Sequence, residues 1–390
     1  MMFTRPKKVR TAVMVRPGAM EIRTYPYPLI DKDSAIIKVE MCGVCGTDKH
    51  FFKGDSTQIR GKSVFPMING HEIIGKIMEI GENAARNMEA DRQLLKDGDR
   101  VAVAVEVNCG ECWYCRNHYD SATCANQVMA YGVHPTVDAP PHLRGGFAEY
   151  MHVFPNSVLF KIPDNMSTEV AVFVEEFAVA YSALARAVQP YPAIKEGFGP
   201  GDSIAILGNG PLGILHGIMA RIHGGGFAIA TDLADRRLEV AKMFYADFTI
   251  NAKNMSTEER IQQIKDLTGG IGPDLVVEAA GEPEVFIEAL ETVRKGGTVI
   301  EVGNWVNREE TVQLNVMKHI SSKNLHIHGL YHSGSVWGPV LKVMERHSDR
   351  FPFDKMLSHE MSLDEIVKNM DIVLDPNKCM KVEVTPHKKV

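Results

Sequence analysis

Two short stretches carry the residue types from which a metal-dependent reaction centre is built. Cys42-Gly43-Val44-Cys45-Gly46-Thr47-Asp48-Lys49-His50 offers a thiol, a hydroxyl, a carboxyl and an imidazole, and Gly70-His71-Glu72 adds a second imidazole and a second carboxyl. Zinc takes Cys, His and carboxylate ligands, and a catalytic zinc keeps three protein ligands and one open position. Cys45 and His71 supply two of the three. A lone Cys or His is more often a packing residue than a ligand, so the pair gains weight only from its surroundings.

A second cysteine group makes a different offer. Four of the seven cysteines fall at Cys109-x2-Cys112-x2-Cys115-x8-Cys124, inside one polar stretch. Such bunching favours a metal over disulfides, and four thiolates close a tetrahedral structural zinc site. Two zinc ions per chain are expected on this reading. Cys42 and Cys379 have no such company and are expected in the core.

The middle of the chain handles a nucleotide. Ser203 to Leu207 reads as a buried parallel strand, followed by Gly208-Asn209-Gly210-Pro211-Leu212-Gly213 and a helical pattern from Ile214 to His223. Glycines in that setting let the backbone turn sharply and approach a pyrophosphate at the helix N-terminus. The next strand, Phe227 to Thr231, ends in Asp232, placed to hold the adenosine ribose hydroxyls. That carboxylate repels a 2′-phosphate and so favours NAD over NADP, although Arg236 and Arg237 stand close enough to neutralise one.

The remaining sequence must position these groups. At 390 residues the chain is too long for one core and fits two domains. The first third is β-rich, with strands expected over Thr11 to Arg16, Ser34 to Met41, Ile73 to Ile80 and Arg100 to Val107, and frequent glycines at its corners. The polar segment Glu82 to Asp97 reads as a surface excursion with no chemistry. A helix is expected from about Thr168 to Val188; it carries Glu175 and Glu176 in an apolar context, where at most one of two adjacent carboxylates faces inward. Beyond Asp232 strand and helix patterns alternate, giving six strands and a doubly wound α/β sheet. From about Gly334 the chain returns to the first domain, ending in a strand over Met380 to Thr385.

Net charge is −6, which argues against a nucleic-acid partner. No apolar run approaches the ~18 residues of a spanning helix, and the basic start, Met1 to Lys8, enters no signal-peptide core. A cytoplasmic location, without membrane attachment, is the default expectation.

In combination these stretches resemble the zinc-dependent medium-chain alcohol and polyol dehydrogenases, the sorbitol and threonine dehydrogenase branch among them. The resemblance rests on C-G-T-D-x-H followed by G-H-E, on Gly145-Gly146-Phe147-Ala148-Glu149-Tyr150, on Val174 to Ala180 (similar to V-E-P-L-A-V-A) and on the glycine fingerprint. It implies a GroES-like β-barrel catalytic domain over residues 1–178 and 334–390, a structural-zinc lobe at about 108–125, and a Rossmann domain over 179–333. It also implies Glu175 as third ligand of the catalytic zinc; Glu176 stands where the pattern has Pro, which leaves the register open by one. Thr47 would take the proton from the substrate oxygen and His50 would pass it to solvent. Asp48 would support the zinc-bound His71, and Glu72 would sit beside the metal, as a supporting group or a transient ligand. Arg237 would line the adenosine site, and Val302 and Gly303 the nicotinamide. The implied reaction is NAD-linked oxidation of a small secondary alcohol, most simply a polyol, cyclitol or sugar, to a ketone, in a homodimer or homotetramer. L-Threonine and simple secondary alcohols are the alternative substrates, and a non-catalytic nucleotide-binding relative is the alternative class. The zinc-free reductase branch lacks Cys45 and His71 and does not fit.

Overall fold

The computed structural model describes residues 4–59, 62–91, 93–117, 123–134, 136–188, 197–303, 311–332 and 336–388. The loop His332-Ser333-Gly334-Ser335, expected to shape a substrate pocket, lies outside the described residues after His332. Two compact units divide the chain: Met1–Glu175 with Trp337–Val390, and Glu176–Val336. The division thus falls after Glu175 rather than after residue 178, and before Trp337 rather than at 334.

The first unit is built on a seven-stranded, mostly antiparallel sheet. Its long members are Ala35–Gly43 and Glu72–Ile80, which pair along their whole length and place Gly43 opposite Glu72. The closing strand, Lys381–Val384, pairs antiparallel with Ala35–Gly43 at its far end, so Gly43 also faces Glu383. Alternating apolar positions along these strands fill the barrel interior: Ile37, Val39, Ile73, Ile77, Val101, Val103, Met151 and Val382 are all buried together. The segment after Gly81 is less superficial than its polarity suggests. Ala84, Met88 and Leu95 are buried in the same core, and only Ala84–Asn87 forms a helical turn. The stretch expected as one strand from Arg100 to Val107 is two, Arg100–Val103 and Glu106–Val107.

The expected helix from Thr168 is also two, Thr168–Ala171 and Val174–Ala187. Both acids in it are buried, Glu175 and Glu176 at 7% exposure each, so adjacency did not send one of them to solvent.

The second unit is a six-stranded parallel sheet. Its order is Phe248–Asn251, Phe227–Asp232, Ser203–Leu207, Leu275–Glu278, Thr298–Glu301, His326–Gly329. The strand order reverses beside Ser203–Leu207, and ligands of open α/β sheets bind outside the carboxyl ends of the strands at such a switch point. Apart from Ser203 and Glu278 the two central strands are apolar and buried, as expected of strands covered on both faces. No helix among the described residues is long and apolar enough to cross a membrane.

Candidate active site and coenzyme site

The helix Gly46–Lys53 begins at Cys45, which takes the extended conformation of a cap residue. Its backbone N–H donates to Asp48 Oδ2 at 3.0 Å, as expected of a capping carboxylate one turn in. The other oxygen of Asp48 accepts from Asn69 Nδ2 at 3.1 Å and from the Gly70 N–H at 3.3 Å. One buried carboxylate therefore ties the start of this helix to the two residues before His71. Burial raises the Asp48 carboxyl above its usual range, against the opposing pull of His71 and of these N–H groups. The sequence assigned Asp48 to supporting His71; the bonds present act through the backbone on either side of the pair.

A sulfur of Cys45, a ring nitrogen of His71 and a carboxylate oxygen of Glu72 lie within 4.8 Å of one another. Glu175, the expected third donor, stands outside this group, and Glu72 stands inside it. Glu175 is nonetheless near: with Glu72 it raises the Cys45 thiol, whose first cause of elevation is burial. His71 shows the same surroundings. Burial pulls its pKa down, but Asp48, Glu175 and Glu72 outweigh it and leave the imidazole raised.

The position of Glu72 has a steric cause. A Cβ on Gly43 would lie 1.7 Å from Glu72 Oε2, so only glycine at 43 lets that side chain cross the neighbouring strand. Having crossed, Glu72 Oε2 accepts from Lys381 Nζ; both side chains are almost wholly buried. Glu72 Oε1 and His71 Nδ1 are buried with no hydrogen-bond partner among the described residues. Buried polar atoms are rarely left unpaired, and two of them in a Cys–His–carboxylate group are what a metal would satisfy.

The four lobe cysteines form the second group, again within 4.8 Å of one another. Individual sulfur–sulfur distances are 3.4 Å (Cys112–Cys115), 3.6 Å (Cys109–Cys124) and 4.0 Å (Cys109–Cys115). A tetrahedron of thiolates about zinc, at ~2.3 Å bonds, has edges of about 3.8 Å. All seven cysteines are free, with Cys42 and Cys379 buried. Backbone N–H groups, that of Cys115 foremost, draw the Cys112 thiol down to about 6.

Thr47 Oγ1 stands 3.8 Å from Cys45 Sγ. His50, four residues after Gly46 on the same helix, reaches the surface, where its Nδ1 is 2.9 Å from a carboxylate oxygen of Asp55. Asp55 escaped sequence reasoning, as did Lys381, Gly43 and Asn69.

In the second unit the fingerprint forms a strand–turn–helix. Gly208 has φ +92°, and a Cβ on Gly213 would meet Gly208 O at 2.0 Å, so both positions demand glycine for the turn to pack on its helix. Gly210 caps the helix Pro211–Ile222, with Pro211 at its first position and Leu212 next. Asp232 ends its strand and is fixed by the N–H groups of Asn209 at 2.7 Å and Ala234 at 2.9 Å. Arg237 approaches the same carboxylate at 3.5 Å. Asn209 is wholly buried, and its Nδ2 donates to the carbonyls of Ile206 and Thr231. It staples the loop between the two strands, a role that an unspecified position in a motif could not announce. Val302 is buried, its N–H donating to Glu278 O at 3.0 Å, and Gly303 follows at the same carboxyl end of the sheet.

Comparison with known proteins agrees with this geometry. Residues 31–164 match the alcohol dehydrogenase GroES-like domain, and residues 211–346 match the zinc-binding dehydrogenase family. A sorbitol dehydrogenase of Bacillus subtilis is 31% identical over 393 residues, covering 100% of both chains. The crystal structure of an alcohol dehydrogenase from Thermotoga maritima superposes with TM-score 0.85 at 26% identity, over 97% of this chain and 100% of that one. A zinc-binding dehydrogenase of Sinorhizobium meliloti, solved bound to NADP, gives TM-score 0.79 at 25% identity, over 98% of this chain and 100% of that one. The chain belongs to the zinc-dependent medium-chain alcohol and polyol dehydrogenase family, with a GroES-like domain and a Rossmann domain.

Proposed function

We propose that the chain is a zinc-dependent, NAD-linked dehydrogenase that oxidises a secondary alcohol of the polyol, cyclitol or sugar class to its ketone. The observation that carries this reading is the buried group of Cys45, His71 and Glu72, with two orphaned polar atoms. Those three residues would hold the catalytic zinc, with Glu175 as the adjacent carboxylate, and Cys109, Cys112, Cys115 and Cys124 would hold a second, structural one. Zinc supplies a Lewis acid that lowers the pKa of an alcohol, and NAD accepts the hydride from the carbinol carbon.

The chain's own residues do the remainder. Lys381 holds one oxygen of Glu72, leaving the other to the metal site. Asp48 fixes Cys45 and the approach to His71 by three hydrogen bonds. Thr47, 3.8 Å from Cys45 Sγ, would receive the substrate proton, and His50, at the surface beside Asp55, would release it to solvent. A mixed Cys–His–carboxylate donor set is harder than one with two thiolates, which suits a substrate carrying a neighbouring hydroxyl.

Asp232 supports NAD. Its carboxylate sits at the end of the second strand with both oxygens already oriented, and a 2′-phosphate beside it would meet like charge. Arg237 at 3.5 Å and the NADP-bound Sinorhizobium relative give the competing case its basis. A homodimer or homotetramer completes the reading.

One oxidation screen tests it: sorbitol, other polyols, cyclitols, threonine and short alcohols, each with NAD and with NADP. The expected result is a kcat/KM highest for a polyol or cyclitol with NAD. A higher kcat/KM with NADP overturns the coenzyme assignment, preference for threonine overturns the substrate class, and no oxidation of any alcohol by zinc-loaded protein overturns the activity.

A further inference from the structure

The Rossmann unit carries a cavity of about 290 Å³ lined by Lys265, Lys295, Lys318, Lys323, His319 and Glu291, with apolar walls between them. Its place in the sheet separates it from the coenzyme. Lys295 precedes the strand Thr298–Glu301, and Lys323 precedes His326–Gly329, so the cavity opens at the amino ends of the strands. Gly208 to Gly213 and Asp232 lie at the carboxyl ends of parallel strands in the same sheet.

The charges there do not balance. Four lysines line the cavity with one acidic residue among the described residues, Glu291. That carboxylate is engaged twice already, by Lys318 Nζ and by His319 Nε2 at 3.2 Å. Lys323 Nζ donates to the carbonyls of Leu290 at 2.6 Å and Glu291 at 3.3 Å, which pins its charge at the cavity wall. Burial, with Lys265, Lys295 and Lys318 around it, presses the Lys323 pKa down to about 8. His319 is 7% exposed, and its Nδ1 is buried without a partner among the described residues. Neither Lys265 nor Lys295 has an ion-pair partner among the described residues.

A multivalent oxyanion answers the excess of cationic side chains over carboxylates. Ammonium groups act as point charges toward phosphate, and several lysines around one small space favour a dianion over chloride. The volume is at the small end of ligand sites, which span ~300–1,000 Å³, and suits a phosphate group rather than a second dinucleotide. We propose that this cavity binds a phosphate dianion, free or as the head of a small phosphomonoester, among Lys265, Lys295 and Lys318. It is a second anion site of the Rossmann unit, at the end of the sheet opposite the coenzyme. It does not depend on the substrate assigned above.

The test is equilibrium dialysis of inorganic phosphate against the full-length, zinc-loaded chain with NAD in saturating excess, at constant ionic strength made up with chloride. The parent should take up one phosphate per chain. Lys265→Gln/Lys295→Gln should bind it at least about tenfold more weakly, the loss of one to two charge-assisted hydrogen bonds, while NAD affinity and the melting temperature in phosphate-free buffer stay unchanged. Competition by glycerol 3-phosphate separates the sources: tighter than phosphate assigns a monoester, weaker assigns free phosphate. No saturable uptake beyond the chloride control overturns the proposal. So does equal binding by the double variant, or uptake abolished by association of two chains over the cavity. The readout is phosphate rather than turnover, so its failure leaves the dehydrogenase reading intact.

Discussion

The two cysteine centres solve the same problem by opposite means. In the lobe, all four donors come from Cys109 to Cys124, all are sulfur, and three of them are only partly buried. In the first centre the donors differ in kind and come from a helix cap and the start of a strand. The Lys381 that pairs with Glu72 lies 309 residues further along the chain. A local site is shaped by its own loop, and a metal bound there would hold it closed. A site assembled from distant elements inherits its geometry from the barrel, with Asp48 and Gly43 setting the last few ångströms. The comparison teaches where each would fail: the lobe in stability, the buried centre in chemistry.

The sharpest break in the comparison is at the two acids competing for the third place. Glu72→Gln should empty the buried zinc site while leaving one zinc per chain in the lobe. Turnover should fall by roughly three orders of magnitude or more, since loss of the Lewis acid removes several kcal/mol of barrier lowering. Glu175→Gln should keep both metals and lose less activity, through altered charge around Cys45 and His71. Metal analysis of the two variants decides it. Zinc lost from Glu175→Gln and retained by Glu72→Gln would restore Glu175 as the ligand and make Glu72 a partner of Lys381 alone.

Legibility in the sequence follows the same division. The lobe and the glycine fingerprint could be read because their residues are contiguous and their spacing is itself the geometry. The six-stranded sheet could be read because buried parallel strands are apolar runs. The gathering of Glu72 with Cys45 and His71 could not, because it depends on Gly43 leaving room across a strand pair. Lys381-Val382-Glu383-Val384 misleads in a related way: its alternation suggests a strand with one wet face, yet all four residues are buried. The charged face turns inward because Glu72 waits there to pair with Lys381. Buried ion pairs of this kind leave no periodic signature, and only the register of the closing strand reveals them. The break at Val172-Phe173 and the burial of Met88 and Leu95 were hidden likewise, by packing partners elsewhere in the chain.

The lobe offers the intermediate effect. Cys112→Ser removes one of the four gathered sulfurs and should lower the zinc count by one, leaving the buried site filled. A loss of about 2 kcal/mol would shift the melting temperature by roughly 4–8 °C in a domain of this size. Limited proteolysis near Trp113 and Tyr114, already exposed at 61% and 40%, should quicken. Turnover per remaining catalytic zinc should hold. An unchanged zinc count with an unchanged melting temperature would mean that the four sulfurs gather without a metal.

The smallest effect tests whether the buried centre reaches the surface through His50. Asp55 is 45% exposed and His50 36%, so their contact at 2.9 Å is worth only ~0.2–1 kcal/mol. Asp55 touches none of Cys45, His71, Glu72 and Thr47; it can act only by orienting the imidazole. Asp55→Asn should therefore lower kcat by no more than about fivefold, the rate equivalent of 1 kcal/mol, with KM and zinc content unchanged. Histidine 50 itself should matter more: His50→Asn should slow turnover further, and added imidazole buffer should restore part of the loss if the group works as a proton carrier. A kcat unmoved by Asp55→Asn would mean that the carboxylate does not position the imidazole for turnover. An His50→Asn variant with full turnover would mean that protons leave the buried centre by another path, and the contrast with the self-contained lobe would then end at Thr47.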